Sequence, residues 1–207
     1  MIKLIVFDFS GTLAYSEQED LKGFFGPLLE FGIKITQEKE AEYLFDFFPS
    51  FFSKADSWNG FAIMMAAEFS ITLSKERKDE LAKYLEKKLS FKLYDDAKEI
   101  SALPQRKAIL TLASRFLVES IDDLAQFDIF TSREIRYAKP DKRAFLEVLK
   151  KMKTVPSEAI MIGDSFEKDI EPALALGMKG VLIDREGKVS DNSIVKISSL
   201  KDLKQYL

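Results

Sequence analysis

Short apolar runs alternate with amphipathic stretches through the second half of the chain. After a first apolar run at 2–7, similar runs recur at 108–110, 128–130, 159–162 and 180–183. Runs this short and this continuously apolar are typical of strands buried on both faces of a parallel sheet. The residues between the later runs carry helical periodicity, at 116–126, 141–152 and 167–176. The alternation predicts βαβ units and therefore an α/β domain with helices on both faces of a parallel sheet.

Residues 14–93 show a different pattern, in which helical signals predominate and no strand is predicted. Ser16 with Glu19 fits a capping box, and Thr36 and Ser74 are suitable N-caps for two further helices. Another helix is predicted over 59–69. The chain is therefore expected to contain a core made of 1–13 and 94–207, interrupted by an α-helical domain at 14–93.

Most of the 18 Phe residues lie in this insertion, where packing in a small helical bundle accounts for the majority of them. The stretch 47–59 is different, because it mixes aromatic and polar residues and reads as a loop. We predict that this loop faces a substrate, with Lys54, Trp58 and Asn59 as candidate contacts.

The composition narrows the possible chemistry. With no Cys and no His among 207 residues, the chain has no disulfide, no thiolate or imidazole metal ligand, and no Ser-His-Asp triad. A net charge of -3 argues against a non-specific nucleic-acid binder, and no apolar run is long enough to cross a membrane. The first residues read as a strand and not as a signal peptide. We therefore expect a cytoplasmic protein with a small-molecule substrate and no nucleic-acid or membrane partner.

Acidic residues follow two of the predicted strands. Asp8 comes directly after the first run, before Gly11 and Thr12, and Asp164 follows the run at 159–162, with Asp169 one helical turn later. Taken singly, such residues are often turn or helix-capping acids. At the carboxyl ends of neighbouring parallel strands they would share the edge where such sheets bind ligands. Their combination indicates a site for a hard cation such as Mg²⁺.

Two further candidates are unremarkable in isolation. Thr111 ends a predicted strand, where a Thr is usually only β-branched strand material. Lys139 precedes Pro140 and Asp141 at a predicted helix start, with Pro140 expected at the first helical position. A lone Lys at such a point is usually a surface residue.

The order of these residues resembles the haloacid dehalogenase superfamily. Four motifs occur in sequence: Asp8-x-x-Gly11-Thr12-Leu13, then Thr111, then Lys139-Pro140-Asp141, then Gly163-Asp164-Ser165-x-x-x-Asp169. The resemblance covers nearly the whole chain, and the helical insertion is similar to the cap domain of that family. It implies a Rossmann-like parallel sheet core with helices on both faces plus a small α-helical cap domain.

The resemblance also implies roles for the site residues. Asp8 would be the nucleophile, Lys139 would neutralise charge on Asp8 and the phosphoryl group, and Asp169 would orient Lys139 or support the metal shell. The metal would be Mg²⁺, held by Asp8, Asp164 and the backbone carbonyl of Ser10. The residues expected around the phosphate are Ser10, Gly11, Thr111, Leu112 and Lys139, although the family often has Asn at the position of Leu112.

Ser10 is the larger departure from the family pattern. Phosphatases of this superfamily usually place there an Asp that protonates the leaving group, whereas a serine does not ionise usefully near neutral pH. The retained Asp164 still favours a Mg²⁺-dependent phosphatase of a small phosphorylated metabolite that works through an aspartyl phosphate. The alternatives are a haloacid dehalogenase, a phosphonate (C–P) hydrolase, and a catalytically impaired regulator that binds a phosphate ligand.

Overall fold

A computed structural model of the protein describes residues 1–16, 26–35, 53–191 and 193–207. The chain divides into two compact units, one formed by Met1–Tyr15 with Lys92–Leu207 and the other by Ser16–Phe91. These bounds lie within two residues of those predicted from the sequence patterns. That the second unit serves as a cap stays a prediction.

The first unit is built on a six-stranded parallel sheet, which confirms the predicted α/β fold. Its strands are β1 (Leu4–Phe7), β4 (Arg106–Thr111), β5 (Asp128–Thr131), β6 (Ala159–Gly163), β7 (Lys179–Ile183) and β8 (Lys196–Ile197), in the spatial order β5-β4-β1-β6-β7-β8. The two-residue β8 was not predicted, because so short a strand leaves no apolar run.

Strand β1 occupies the centre of the sheet, where the chain switches from one side to the other. Leu4 pairs with Arg106 of β4 and with Ala159 of β6, and all three strands run in the same direction. Pairing continues past β1, where the Asp8 N–H donates to the Ile162 carbonyl at 2.8 Å. The residues that follow β1, β4 and β6 therefore meet at one edge, beside the switch point where open α/β sheets bind ligands.

The described α-helices are α1 (Trp58–Glu68), α2 (Lys75–Leu89), α3 (Arg115–Glu119), α4 (Ser132–Ile135), α5 (Lys142–Lys151) and α6 (Glu171–Leu174). Asp141 caps α5 by accepting the Arg143 N–H, so Pro140 precedes the cap and does not occupy the first helical position as predicted.

One predicted helix is interrupted, and another changes its helix type along its length. The segment 116–126 forms α3 and a separate 3₁₀ turn at Asp122–Leu124, and the Ser120 hydroxyl between them bonds to the Leu117 carbonyl. Such a side-chain bond competes with helix continuation. The segment 167–176 is helical over most of its length, as a π-helical turn at Phe166–Ile170 that runs directly into α6, where Pro172 has no N–H to donate.

Helix α5 contributes four buried side chains to the core on one face of the sheet. Its buried residues Ala144, Phe145, Val148 and Leu149 pack in one cluster with apolar residues of β1, β4 and β6. This packing anchors the start of α5, and with it the loop that carries Lys139.

In the second unit, Ser57 caps α1 by accepting the Gly60 N–H, and Ser74 caps α2 by accepting the Arg77 N–H, as predicted for Ser74. Thr36 and the partner of the Ser16 capping box lie outside the described residues. Trp58 and Asn59 open α1 at Trp58–Glu68, which agrees within one residue with the helix predicted over 59–69. The interpretation of 47–59 as a loop is wrong at these last two residues, because the Ser57 cap starts the helix. None of the described helices is long and apolar enough to cross a membrane.

The prediction that 14–93 contains no strand is also wrong. Strand β2 (Ala14–Ser16) pairs with β3 (Phe91–Leu93) in a two-stranded sheet, at the segments where the chain passes between the units. Beyond this pairing, the Tyr94 N–H donates to the Leu13 carbonyl at 2.9 Å. Three-residue strands are too short to show the alternation by which a strand is recognised in a sequence.

The core packing of α5 can be tested with Phe145→Ala. Because Phe145 is 1% exposed, its loss should lower the free energy of unfolding by about 3–5 kcal/mol. The neighbouring Leu146 is 45% exposed and serves as the control, with Leu146→Ala expected to cost less than about 1 kcal/mol. Urea unfolding measures both, and similar losses for the two variants would contradict this account of the core.

Candidate active site

A buried lysine joins two acids at the carboxyl edge of the sheet. The Lys139 ammonium donates to Asp8 Oδ1 at 2.6 Å and to Asp169 Oδ1 at 2.5 Å, and only 3% of the lysine side chain is exposed. Burial alone would lower the pKa of Lys139, but the charges of Asp8 and Asp169 raise it above its usual value. The lysine is therefore held in its charged form.

The π-helical turn after β6 fixes Asp169. Its carboxylate accepts the Ser165 N–H at 3.2 Å through Oδ2, while Oδ1 accepts from Lys139. Gly163 makes room for this packing, because a Cβ at that position would lie 2.4 Å from the Asp169 carboxyl carbon. Both Asp169 oxygens are thus engaged by protein groups, which suits the residue to orienting Lys139.

Gly11 brings the backbone after Asp8 against Asp164. Its φ of +82° lies in the left-handed region that favours glycine, and a Cβ there would lie 2.4 Å from Asp164 Oδ2. The glycine therefore allows the turn after β1 to approach the carboxylate that follows β6.

Asp8, Asp164 and Asp169 form one acidic cluster, with a carboxylate oxygen from each lying within 4.8 Å of the others. Asp169 is committed to Lys139 and Ser165, so Asp8 and Asp164 are the members suited to binding an ion. Hard carboxylate oxygens, in a site where Asp164 reaches solvent, fit a cation such as Mg²⁺.

The electrostatics of the cluster also favour a cation. Asp164 reaches solvent, yet its pKa is raised to about 6, first by partial desolvation and then by repulsion from Asp8 and Asp169. Three carboxyl groups face the single ammonium of Lys139, and a divalent ion would balance the excess negative charge.

The other predicted phosphate contacts lie at the same edge. Thr111 ends β4 next to β1, and its hydroxyl oxygen accepts the Ala113 N–H at 3.0 Å, which orients the hydroxyl hydrogen away from that bond. Ser10 is exposed directly beyond Asp8. Leu112 leaves 38% of its surface exposed immediately after Thr111. Leu112 offers an apolar side chain at the position where the family often has the amide of Asn.

The predicted specificity residues Lys54, Trp58 and Asn59 belong to the second unit. Lys54 and Asn59 are exposed, whereas Trp58 packs edge-on against Phe61 with ring centroids 6.3 Å apart. Trp58 therefore has a packing role within its own unit. The contact of these three residues with a substrate stays a prediction.

Three residues of this edge were not predicted. Arg185, two residues after β7, contacts the carbonyls of Gly11 and Thr12, and Asp96 and Tyr94 in turn hold Arg185. The one available signal was position, since Arg185 follows an apolar run just as Asp8 and Asp164 do.

The family model described as haloacid dehalogenase-like hydrolase matches residues 2–177. The chain belongs to this family of hydrolases. Two solved structures support the fold. A HAD phosphatase from Thermococcus onnurineus has a TM-score of 0.66 at 23% identity, and a 2-haloacid dehalogenase from Pseudomonas syringae has 0.67 at 22%. Each alignment covers 99% of this chain and 97% of the other.

Curated relatives of this haloacid dehalogenase-like hydrolase include two phosphatases. A phosphoserine phosphatase from Thermus thermophilus is 29% identical over 123 residues, which cover 53% of this chain and 48% of the relative. A glyceraldehyde 3-phosphate phosphatase from Methanothermobacter thermautotrophicus is 36% identical over 59 residues, covering 28% and 26%. The chain thus spans less than half the length of either relative.

Partial desolvation of the Asp164 carboxylate, together with repulsion from Asp8 and Asp169, predicts that Asp164→Asn stabilises the metal-free protein. The pKa of Asp164 in the folded state, about 6, lies above the ordinary 3.8, so ionising this residue as pH rises between those values costs folding free energy. The gain from the substitution should be complete above about pH 6 and vanish towards pH 4. We expect about 1 kcal/mol, a value reduced for the solvent that reaches this side chain.

Urea unfolding in EDTA from pH 4 to pH 8 measures this gain. Asp202→Asn removes one negative charge from an exposed acid near the C-terminus and is the matched control. A gain that is the same at pH 4 and pH 8, or that Asp202→Asn reproduces, would contradict the repulsion.

Proposed function

We propose that this hydrolase is a Mg²⁺-dependent phosphatase that acts on a small phosphorylated metabolite through an aspartyl phosphate on Asp8. The observation that carries the proposal is the contact of the charged Lys139 with both Asp8 and Asp169, beside an Asp164 carboxylate within 4.8 Å. This contact supports the proposal, in which Asp8 is the nucleophile, Lys139 the fixed cation and Asp164 the acid that binds the metal. The two phosphatases among the relatives agree with this proposal.

In the first step, an oxygen of the Asp8 carboxylate attacks phosphorus, and the bond from phosphorus to the leaving oxygen breaks. Asp8 Oδ1 accepts from Lys139, so Oδ2 is the better placed nucleophile. The Lys139 ammonium and the Thr111 hydroxyl are the protein groups that would bind the phosphoryl oxygens. Bound Mg²⁺, held by Asp8 and Asp164, would neutralise negative charge on the transferring group.

In the second step, water attacks the phosphorus of the aspartyl phosphate and gives up a proton to solvent, the bond from Asp8 to phosphorus breaks, and the carboxylate is restored. Asp169 holds Lys139 in place through both steps, because its own carboxylate is fixed by the Ser165 N–H. Positioning and charge neutralisation supply most of the catalysis in phosphoryl transfer, and these residues supply both.

Ser10 restricts the kind of leaving group that a good substrate can carry. An alkoxide leaving group needs a proton, and the Ser10 hydroxyl, with its very high pKa, is a poor acid at neutral pH. The proton would then come from solvent, which reaches the exposed Ser10. Substrates with a good leaving group, such as acyl or aryl phosphates, would need this help least.

A haloacid dehalogenase is the second candidate, and Ser10 is the observation in its favour, because a halide leaves without a proton. The acidic cluster argues against it, since dehalogenation through Asp8 has no need of Asp164 beside the nucleophile.

A substrate panel separates these functions. Purified protein is assayed with phosphate monoesters, phosphonates and 2-haloacids, in Mg²⁺ and in EDTA. We expect phosphate release that requires Mg²⁺, and Asp8→Asn should lower kcat on the order of 10³-fold or more because it removes the nucleophile. Asp202→Asn, which removes a remote exposed carboxylate, should retain activity. Halide release in EDTA would instead show a dehalogenase.

The account of Ser10 predicts that an acidic residue at this position raises activity. Ser10→Asp should raise kcat for an alkyl phosphate by about 10- to 100-fold, because it introduces a general acid, and should raise it much less for an aryl phosphate. Ser10→Asn has a similar shape without an ionisable group and is the control. Equal rates for the Asp and Asn variants on the alkyl phosphate would refute the assignment of this position.

A further inference from the structure

Arg185 holds the turn that follows the nucleophile. It lies two residues after β7, and its guanidinium donates from Nη2 to the Thr12 carbonyl at 2.7 Å and from Nε to the Gly11 carbonyl at 3.3 Å. Thr12 is fully buried, so without Arg185 its carbonyl would have little water to replace the lost bond.

Asp96 fixes the orientation of this guanidinium. Arg185 Nη1 donates to Asp96 Oδ2 at 2.9 Å and Nη2 donates to Oδ1 at 3.1 Å, which is the two-pronged geometry that arginine forms with a carboxylate. Asp96 Oδ2 also accepts from the Ser199 hydroxyl and the Leu200 N–H, both at 2.9 Å. Although burial favours the neutral acid, these hydrogen bonds hold the pKa of Asp96 below its usual value, so the partner of Arg185 is charged.

Tyr94 completes the support. The Arg185 guanidinium lies 3.7 Å from the centre of the Tyr94 ring, and the Tyr94 N–H donates to the Leu13 carbonyl at 2.9 Å. The carbonyls of Gly11, Thr12 and Leu13 are thus bound in succession by one connected group. Arg185 donates hydrogen bonds in the plane of its guanidinium group and packs the face of that group on Tyr94. A lysine at this position could therefore replace only part of these contacts.

The position of this turn matters to the active site. A cleft of about 270 Å³ borders Gly11, Asp164 and Arg185, and on this side of the turn Arg185 holds the carbonyls of Gly11 and Thr12. The Gly11 backbone is also so close to the Asp164 carboxylate that no Cβ fits between them. A shift of the turn would change the spacing between Asp164 and the segment that carries Asp8 and Ser10.

We propose that Arg185, held by Asp96, is a positioning residue that sets the turn at Gly11 and Thr12 and thereby the spacing of Asp8 and Ser10 from Asp164. The proposal rests on the phosphatase function proposed above. It assigns a role in phosphoryl transfer to a residue outside the four motifs that identify the family.

Steady-state kinetics of Arg185→Gln test this role. Because a displacement of about 1 Å at a reacting centre costs up to about 10²-fold in rate, we expect kcat to fall about 10- to 100-fold while KM changes less than about threefold. Arg185→Lys should restore part of the loss. Asp96→Asn should lower kcat as well, and the double variant should lose less than the product of the two single losses, because both act through one contact.

Arg106→Gln is the matched control. Arg106 begins β4 at the opposite edge of the same sheet, where its guanidinium donates to the Thr154 hydroxyl at 2.6 Å. This variant should keep the kcat of the wild type. Urea unfolding of each variant gives its folded fraction. If the kcat per folded molecule is the same in Arg185→Gln as in the wild type, Arg185 has only a structural role and the proposal is overturned.

Crystal structures of the wild type and of Arg185→Gln test the positioning role independently of the proposed phosphatase activity. If the wild type shows no turnover that depends on Asp8, the phosphatase proposal fails, and the distance from the Gly11 backbone to the Asp164 carboxylate still reports on Arg185. An increase in that distance in Arg185→Gln supports the positioning role, and an unchanged turn overturns it. If Arg185→Gln does not fold, Arg185→Lys and Asp96→Asn are compared by the same kinetics and the same distance.

Discussion

The ammonium of Lys139, buried between Asp8 and Asp169, is the constraint on which the rest of this site depends. A charge removed from water is tolerated only with partners close by, and removal of one partner of a buried ion pair typically costs about 3–5 kcal/mol. Three separate parts of the chain must therefore converge within hydrogen-bonding distance: the end of β1, the loop before α5 and the π-helical turn after β6. The same requirement places Asp8 beside a fixed positive charge, which in the proposed function would assist a carboxylate nucleophile as it approaches an anionic phosphoryl group.

The parallel sheet brings these parts together through its connectivity. Because β1 lies between β4 and β6, the residues that follow all three strands share one edge at the point where the chain changes direction. Packing of α5 against the sheet anchors the lysine loop from one side, and Gly11 and Gly163 allow backbone and carboxylates to approach more closely than any Cβ would permit. The core thus determines where the charges lie, and the charges determine which chemistry is possible.

Most of this arrangement could be predicted from local patterns. The apolar runs located five of the six strands of the main sheet, and the predicted site residues Asp8, Thr111 and Asp164 were those at or just beyond the ends of three of these strands. Local patterns were insufficient for β2, β3 and β8, each of two or three residues, for the break at Ser120 and for the π-helical turn at Phe166–Ile170. They also missed Arg185 and Asp96, which meet across 89 positions of sequence and contact a backbone turn and not a motif side chain. Such contacts are created by tertiary packing and leave no periodicity.

The absence of an acid at position 10, in a chain without any histidine, makes the identity of the covalent intermediate the central question. A single turnover of a phosphate ester in water labelled with heavy oxygen, quenched rapidly and followed by mass spectrometry of the peptide that contains Asp8, addresses it directly. The account predicts a transient phosphoryl group on Asp8 and heavy oxygen in the released phosphate, because water attacks phosphorus. Turnover without phosphorylation of Asp8, or heavy oxygen incorporated into the Asp8 carboxylate, would contradict it.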